Sequence, residues 1–146
     1  MRVLVVDDDV DIQTMVRMAL DDCDVLVASD GLAALAVLRQ TRVDVVLLDV
    51  MMPAMDGFAV LRRIRGGERC PDVPVVMLTA KAGERDHVTA YRDGADAYLT
   101  KPFGLDELEA ALADVTARSV RDRTAARRAE LERAQLLAQI EHTFGV

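Results

Sequence analysis

The sequence lacks several features that would place a protein in a particular class. It has two cysteines, Cys23 and Cys70, which form no CxxC pair and have no histidine at zinc-ligand spacing. No apolar run approaches the roughly 20 residues that cross a bilayer, and the opening MRVLVVDDD lacks the features of a signal peptide. The net charge is −7, without the positive excess that favours nucleic acid. We therefore expect a cytoplasmic protein with reduced thiols and no membrane or direct nucleic-acid contacts.

Short apolar runs alternate with amphipathic segments along the chain. Its 146 residues are 51% hydrophobic and 29% charged, which suits one globular domain with a core. The apolar runs predict five strands, at 2–6, 24–28, 44–50, 73–80 and 95–100. A helix is expected after each strand. Asp30 and Asp56 are expected to cap helix N-termini, and Gly94 is expected to end a helix. Asp106 and Glu107 are expected in the first turn of the helix that follows the fifth strand. This alternation predicts an α/β fold with a parallel sheet covered on both faces.

Polar side chains stand where the predicted strands end. Asp7 and Asp8 follow the first strand, Asp49 ends the third, Thr79 ends the fourth and Lys101 follows the fifth. Ligands of such sheets bind beyond the carboxyl ends of the strands, so these groups should share one crevice. Carboxylates brought together raise one another's pKa, and a divalent cation relieves the conflict. Magnesium accepts one or two carboxylates and keeps several waters, so the cluster predicts a magnesium site with room for a phosphoryl group.

Some residues near this crevice have two interpretations. Asp9 either opens the first helix, which we favour, or takes part in the metal site. Tyr98 is either a functional aromatic or an ordinary half-buried strand residue. His87 and His142 are predicted to be solvated helix residues without a paired ligand.

Four motifs, in order and at compatible spacing, resemble the response-regulator receiver domain of two-component signalling. They are VLVVDDD (3–9), VVLLDVMMPAMDG (45–57), VVMLTA (75–80) and GADAYLTKPF (94–103). The resemblance covers about residues 1–117. It implies a doubly wound, flavodoxin-like sheet of strand order 2-1-3-4-5.

The resemblance also implies a role for individual residues. Asp49 is expected to be the phosphoacceptor, receiving a phosphoryl group from the phosphohistidine of a sensor histidine kinase or phosphotransfer protein. Asp7, Asp8, Asp49 and the backbone carbonyl of Met51 are expected to hold Mg²⁺. Lys101 would bind a phosphoryl oxygen, and a cis Lys101–Pro102 bond is expected beside it.

The remaining implied roles concern the response to the phosphoryl group. Thr79 would donate its hydroxyl to that group, and Tyr98 would turn inward as the switch aromatic. Met51 and Lys81 would flank the path of attacking water; neither orients water as a base, so we expect slow loss of the phosphoryl group.

Three classes of function fit these residues. The first is a phosphorylatable switch that works by protein contact. The second is the receiver of a longer regulator with a DNA-binding or enzymatic output domain, although the 29 residues after position 117 are too few for a DNA-binding module. The third, an enzyme acting on a small phosphate compound, is disfavoured because there is no second domain or lid. We expect no enzyme activity beyond the chain's own phosphotransfer and dephosphorylation.

Residues 118–146 are predicted to be a helical extension of the receiver at 1–117. The segment has no proline and is dominated by good helix formers. A helix opening near Asp106 is therefore expected to run unbroken to about His142 and to project from the domain. An apolar stripe lies near its end, formed by Leu136, Leu137, Ile140 and Phe144 and extended weakly by Ala126, Ala129 and Arg133. The segment is either a solvated tail or a connector that pairs with its copy, giving a homodimer, or with a partner helix.

Overall fold

The computed structural model describes residues 1–67, 69–80 and 84–144, without the side chains of residues 84 and 85. Five strands and six helices form in these ranges. They are β1 (Arg2–Val6), α1 (Val10–Ala19), β2 (Asp24–Ala28), α2 (Gly31–Gln40), β3 (Val45–Asp49), α3 (Gly57–Gly66), β4 (Val75–Thr79), α4 (Glu84–Asp93), β5 (Ala97–Thr100), α5 (Leu105–Ala117) and α6 (Val120–Phe144).

The five strands form one parallel sheet of order β2-β1-β3-β4-β5, as predicted. Every residue of β3 and β4 is buried, which is typical of central strands covered on both faces. The register places Asp49 opposite Leu78 and Thr79 opposite Thr100. The carboxyl ends of β3, β4 and β5 are therefore level at one edge of the sheet.

Alternate residues of a strand point to opposite faces of the sheet and pack into two separate hydrophobic cores. Leu4, Val6 and Leu48 pack towards α2, α3 and α4, whereas Val3 and Val5 pack towards α1 and α5. Each fully buried aliphatic side chain contributes about 1.5–3 kcal/mol. Both faces of the sheet are thus anchored, and its carboxyl edge is held on a rigid support.

The helix-end predictions are confirmed. The carboxylates of Asp9, Asp30 and Asp56 each accept a hydrogen bond from a first-turn backbone N–H, at 2.7–2.9 Å. Gly94 has a φ of 105°, the left-handed conformation that glycine tolerates, and its N–H donates to the Ala90 carbonyl. Asp106 and Glu107 lie in the first turn of α5. Lys101–Pro102 is cis, as expected.

The prediction of one unbroken helix from Asp106 to about His142 is wrong. The helix α5 ends at Ala117, and Arg118 takes an extended conformation with φ −88° and ψ 145°. A second helix then begins, because the Ser119 hydroxyl accepts a hydrogen bond from the Asp122 backbone N–H at 3.1 Å. The sequence signal that we missed is the Ser-x-x-Asp spacing of a helix start.

The expected projection of the tail is also wrong, because α6 folds back and packs along α4. Ion pairs near its start bury Arg123 against Asp96 and so set the rotation of the helix. That rotation buries Ala134 and leaves most of the expected apolar stripe in solvent. Leu136, Ile140 and Phe144 are 58%, 41% and 73% exposed.

None of the helices in the described ranges has the length and apolar character needed to cross a membrane.

Candidate functional site

Three carboxylates meet at the carboxyl edge of the sheet. Asp7 and Asp8 follow β1, and Asp49 ends the neighbouring strand β3. One oxygen of each lies within 4.8 Å of the others. Asp7 and Asp49 are buried, at 0% and 4% exposure, whereas Asp8 is open to solvent. The three predicted carboxylates are therefore close together, and two of them are buried while that of Asp8 lies at the surface.

In the part of the chain that the structure describes, one ammonium group faces this cluster. The Nζ of Lys101 lies 2.7 Å from Oδ2 of Asp7 and 3.5 Å from Oδ2 of Asp49. Burial by itself lowers the pKa of Lys101, but the hydrogen bond with Asp7 and the charges of Asp49 and Asp7 outweigh it and raise that pKa. Lys101 therefore stays charged and neutralises one of the three carboxylates.

The remaining repulsion falls on Asp49. Burial, and then the charge of Asp7, raise the pKa of Asp49 to about 6, against the opposing effects of Lys101 and of the Met51 N–H. That N–H donates to Oδ1 of Asp49 at 3.2 Å. Asp49 is thus mostly ionised at neutral pH but strained electrostatically, which is the condition that a bound cation relieves.

Asp7 is held in place by contacts that the sequence did not suggest. Its Oδ1 accepts a hydrogen bond from the Asp9 N–H at 2.9 Å. Its backbone carbonyl accepts from Nε2 of Gln13 at 2.7 Å, and the same nitrogen lies 3.1 Å from Oγ of Ser29. Gln13 looked like an ordinary residue of α1, since no local pattern shows that it reaches the end of β2.

Gly57 lets α3 approach the end of β3. A Cβ at this position would lie 2.1 Å from the carbonyl oxygen of Asp49, so any other residue would push the two segments apart. The Gly57 N–H donates to the Val50 carbonyl at 2.9 Å. The Asp56–Gly57 pair was visible in the sequence, but only its capping residue was interpreted.

Thr79 and Tyr98 are joined by a side-chain hydrogen bond beside the cluster. Thr79 is fully buried and Tyr98 is half-buried. Burial raises the pKa of Tyr98, and the bond with Thr79 opposes that effect. The Tyr98 side chain therefore contacts Thr79 at the carboxyl edge of the sheet and also faces α4.

His87 differs from its prediction as a solvated residue. It is half-buried in α4, and its ring packs edge-to-face on Tyr98 with 4.2 Å between centroids. His142 is exposed, as expected.

Two residues were predicted to flank the path of attacking water, Met51 and Lys81. Met51 is 58% exposed beside Asp49, while Lys81 lies outside the described residues. Asp9 caps α1 and is not among the three clustered carboxylates, which fits the favoured interpretation.

The cluster offers oxygen ligands only, open to solvent on the side of Asp8. Hard cations such as Mg²⁺ prefer this donor set. A cavity of about 510 Å³ lies away from these groups, between the segments 38–44 and 69–74. The acidic edge is open on the side of Asp8 alone of its three carboxylates, so an ion could reach it from solvent there.

Sheet order, acidic cluster and facing lysine together define a receiver-type α/β domain. The response regulator receiver domain family matches residues 3–113, and the chain belongs to that family.

Known proteins similar to the chain include a regulator and two solved receivers. The DNA-binding dual master transcriptional regulator RpaA of Synechocystis sp. is 39% identical over 132 residues, 89% of this chain and 55% of RpaA. The Vibrio cholerae chemotaxis protein CheY4 has a TM-score of 0.75 at 35% identity, covering 78% of this chain and 97% of CheY4. The receiver domain of the Pseudomonas aeruginosa sensor histidine kinase PA1611, solved with magnesium in its active site cleft, has a TM-score of 0.72 at 30% identity, covering 80% and 98%.

The chain spans about half the length of the curated relatives it matches. It spans nearly all of the two solved receivers.

Proposed function

We propose that this receiver takes a phosphoryl group from a phosphohistidine onto Asp49 and thereby switches its contacts with other proteins. The donor would be a sensor histidine kinase or a phosphotransfer protein. The observation that carries the proposal is the buried Asp49 carboxylate between Asp7 and Lys101, with the open Asp8 beside it.

Magnesium would be held by Asp7, Asp8 and Asp49 and by the backbone carbonyl of Met51. The donor chemistry fits, because among the described residues the three carboxylates exceed the ammonium of Lys101 by two negative charges. The magnesium-bound neighbour from Pseudomonas aeruginosa supports the assignment. When bound, the ion would neutralise charge on the phosphoryl oxygens during transfer.

In the transfer, an Asp49 oxygen attacks phosphorus, the P–N bond to the donor histidine breaks, and the imidazole leaves with the bonding electrons. Asp49 must be ionised to attack, and a pKa of about 6 leaves it so at neutral pH. Lys101 would bind a phosphoryl oxygen as a point charge. Catalysis of this kind needs mainly positioning and charge neutralisation.

Thr79 and Tyr98 would carry the change outward. Thr79 would donate a hydrogen bond from its hydroxyl to the new phosphoryl group. Tyr98 would then move, because its side chain is hydrogen-bonded to that of Thr79. The output would be altered protein contacts, in keeping with a cytoplasmic switch that does not itself bind nucleic acid.

A second candidate is that the chain is the receiver part of a longer regulator. The observation that favours it is the match to about half of each curated relative, RpaA among them, which is named a DNA-binding transcriptional regulator. The same Asp49 chemistry would then control a DNA-binding or enzymatic output domain.

Intact mass after incubation with acetyl phosphate and Mg²⁺ tests the phosphoacceptor. We expect one adduct of about 80 Da, the mass of one phosphoryl group. It should be lost in Asp49→Asn and in the presence of a chelator. An adduct that survives both changes would refute Asp49 as the acceptor.

The homodimer through the C-terminal helix stays a prediction. Its surface would be the exposed stripe of Leu136, Ile140 and Phe144, because the other face of α6 contacts α4. Sedimentation over a concentration range, with and without acetyl phosphate, should show dimers that Ile140→Glu abolishes. A chain that stays monomeric throughout would exclude the homodimer.

A further inference from the structure

The helix α6 occupies the surface formed by α4 and β5 of its own chain. It packs along α4, and two of its contacts with the domain are specific. One is an ion-pair cluster near its start, and the other is a cavity near its middle. An isolated helix of this length is marginal in water, so these contacts decide whether α6 is docked.

The first contact is a buried anchor at Asp96, the residue before β5. Its carboxylate is 1% exposed and accepts hydrogen bonds from the backbone N–H of Val75 and from three guanidinium groups. Nη2 of Arg65 lies at 2.9 Å, Nη1 of Arg123 at 3.1 Å and Nη1 of Arg127 at 2.8 Å. Arg123 and Arg127 belong to α6, so the helix supplies two of the four donors.

Arg123 also spans to a second segment of the domain. Its Nη2 donates to the carbonyl of Asp72 at 2.5 Å, and its side chain is 5% exposed. A charge-assisted bond to a buried carboxylate is among the stronger hydrogen bonds, and removing one partner leaves the other uncompensated. Arg123 is therefore the single residue of α6 whose loss should free the helix most.

The second contact is a cavity of about 210 Å³ between α4, β5 and α6. Tyr98, His87 and Tyr91 line it from the domain, and Ala134 and Leu137 line it from α6. Tyr98 thus touches two places at once. Its side chain is hydrogen-bonded to Thr79 at the candidate site, and its ring forms part of the wall on which α6 rests.

We propose that docking of α6 is coupled to the Thr79–Tyr98 pair, so that modification of Asp49 releases α6 and uncovers the α4–β5 surface. This rests on the proposed function. A phosphoryl group on Asp49 draws the Thr79 hydroxyl away from Tyr98, the ring moves, and the wall under Ala134 and Leu137 changes shape. Packed surfaces respond to such shifts by changing state rather than by deforming gradually. Coupling is reciprocal, so releasing α6 must also favour modification of Asp49.

Hydrogen–deuterium exchange of residues 120–144 in the full chain tests the coupling. The states compared are the free protein, the protein with Mg²⁺ and beryllofluoride, which stands in for the phosphoryl group, and Asp49→Asn under the same conditions. We expect exchange in α6 to rise about fivefold or more on modification. It should not rise in Asp49→Asn. Intact mass with acetyl phosphate, taken in parallel, reports whether Asp49 is modified.

Two arginine variants test the anchor without touching the candidate site. Arg123→Gln should raise exchange in α6 before any modification, whereas Arg128→Gln, an exposed neighbour on the same helix, should not. Because the coupling is reciprocal, Arg123→Gln should also lower the beryllofluoride concentration needed for half-saturation. The factor should equal the factor by which modification of the wild-type protein raises exchange in α6. Circular dichroism melts of both variants check that the domain stays folded.

The outcomes separate the two proposals. An adduct on Asp49 with α6 exchange unchanged or reduced overturns the coupling and leaves the proposed function intact. Absence of any adduct contradicts the proposed function and the coupling with it. If α6 exchanges as slowly in Arg123→Gln as in the wild-type protein, Arg123 does not anchor the helix.

Discussion

The two ends of the sheet contain opposite arrangements of charge. At the carboxyl edge, Asp7, Asp8 and Asp49 face Lys101. At the amino edge, the carboxylate of Asp96 faces three guanidinium groups. Counted over these named groups alone, the first set carries an excess of two negative charges and the second an excess of two positive charges.

The difference lies in how each excess is compensated. Around Asp96, guanidinium N–H groups also donate to backbone carbonyls, including those of Pro71, Val73 and Gly94 from Arg65. Burial, followed by the charges of the other two arginines, lowers the pKa of Arg65 to about 10 despite the attraction of Asp96. That group still stays charged, and the backbone carbonyls around it accept its N–H groups, whereas the buried Nε of Arg123 has no hydrogen-bond partner among the described residues. Among the described residues, the carboxyl-edge cluster keeps its two negative charges in excess, which is the charge that a divalent cation would balance.

The largest expected effect is at Asp96. Asp96→Asn should lower the free energy of unfolding by about 3–5 kcal/mol, because it leaves three buried or half-buried guanidiniums uncompensated. Urea unfolding followed by circular dichroism measures it. The control is Asp24→Asn, which breaks the exposed pair with Arg2 and should cost under about 1 kcal/mol. Equal losses in the two variants would show that the amino-edge cluster is not a structural one.

Removing the charge of Asp49 is expected to raise the free energy of unfolding instead of lowering it. Its pKa is about 6 in the folded protein against an ordinary 3.8, so its contribution to stability is full below about pH 4 and is lost as the pH rises through 6. In metal-free buffer, Asp49→Asn should therefore be more stable than wild type by up to about 3 kcal/mol at pH 7.

The pH series decides whether that interpretation is right. The advantage of Asp49→Asn should shrink towards zero as the pH falls to 4, measured by urea unfolding at each pH. Saturating Mg²⁺ should also shrink it, since the ion favours the ionised carboxylate. An advantage that is constant over pH, or that grows in acid, would contradict electrostatic strain at Asp49.

Magnesium should stabilise the carboxyl edge by a smaller amount. At ten times its dissociation constant, Mg²⁺ should raise the free energy of unfolding of wild type by about 1.4 kcal/mol. Asp8→Asn should lose most of this gain. Asp9→Asn should keep it, because asparagine still caps α1 and Asp9 is outside the cluster. Loss of the gain in Asp9→Asn alone would mean that the wrong carboxylate was assigned.

The smallest expected effect concerns Met51, which is exposed beside Asp49. Met51→Asn should speed loss of the phosphoryl group by about two- to fivefold, since an amide can orient the attacking water that a thioether excludes. The decay of the mass adduct after removal of acetyl phosphate measures it. Met18→Asn, another exposed methionine, is the control. Unchanged or slower decay in Met51→Asn would count against the hypothesis of a water-excluding methionine.

The strands and helix caps were predictable because their signals are local. The buried runs that became β1 and β3, and the capping carboxylates of Asp30 and Asp56, depend on residues within a few positions of each other. Strand ends were one or two residues off, as at β4 and β5. Asp7, Asp8 and Asp49 could be placed together from sequence because parallel strands bring their carboxyl ends to one edge.

The path of the tail was not predictable in the same way. Ser119 carried a readable start signal, but where α6 packs depends on Asp96, 27 residues before Arg123. The sequence assigned no role to Arg123 or Arg127, because no periodicity distinguishes arginines on a solvated helix face from arginines that anchor a helix. Gln13 was missed for a similar reason, since its partner Ser29 belongs to another element.

The sequence by itself determined the α/β alternation, the acidic edge and the facing lysine, because each depends on local pattern and on the fixed geometry of parallel strands. Only the tertiary structure decided that α6 turns back onto α4, that Asp96 holds it, and that Tyr98 lies between α6 and Thr79. These features depend on which buried charge finds its partners across distant segments, and the cost of leaving such a charge unpaired is settled only when the whole chain is folded.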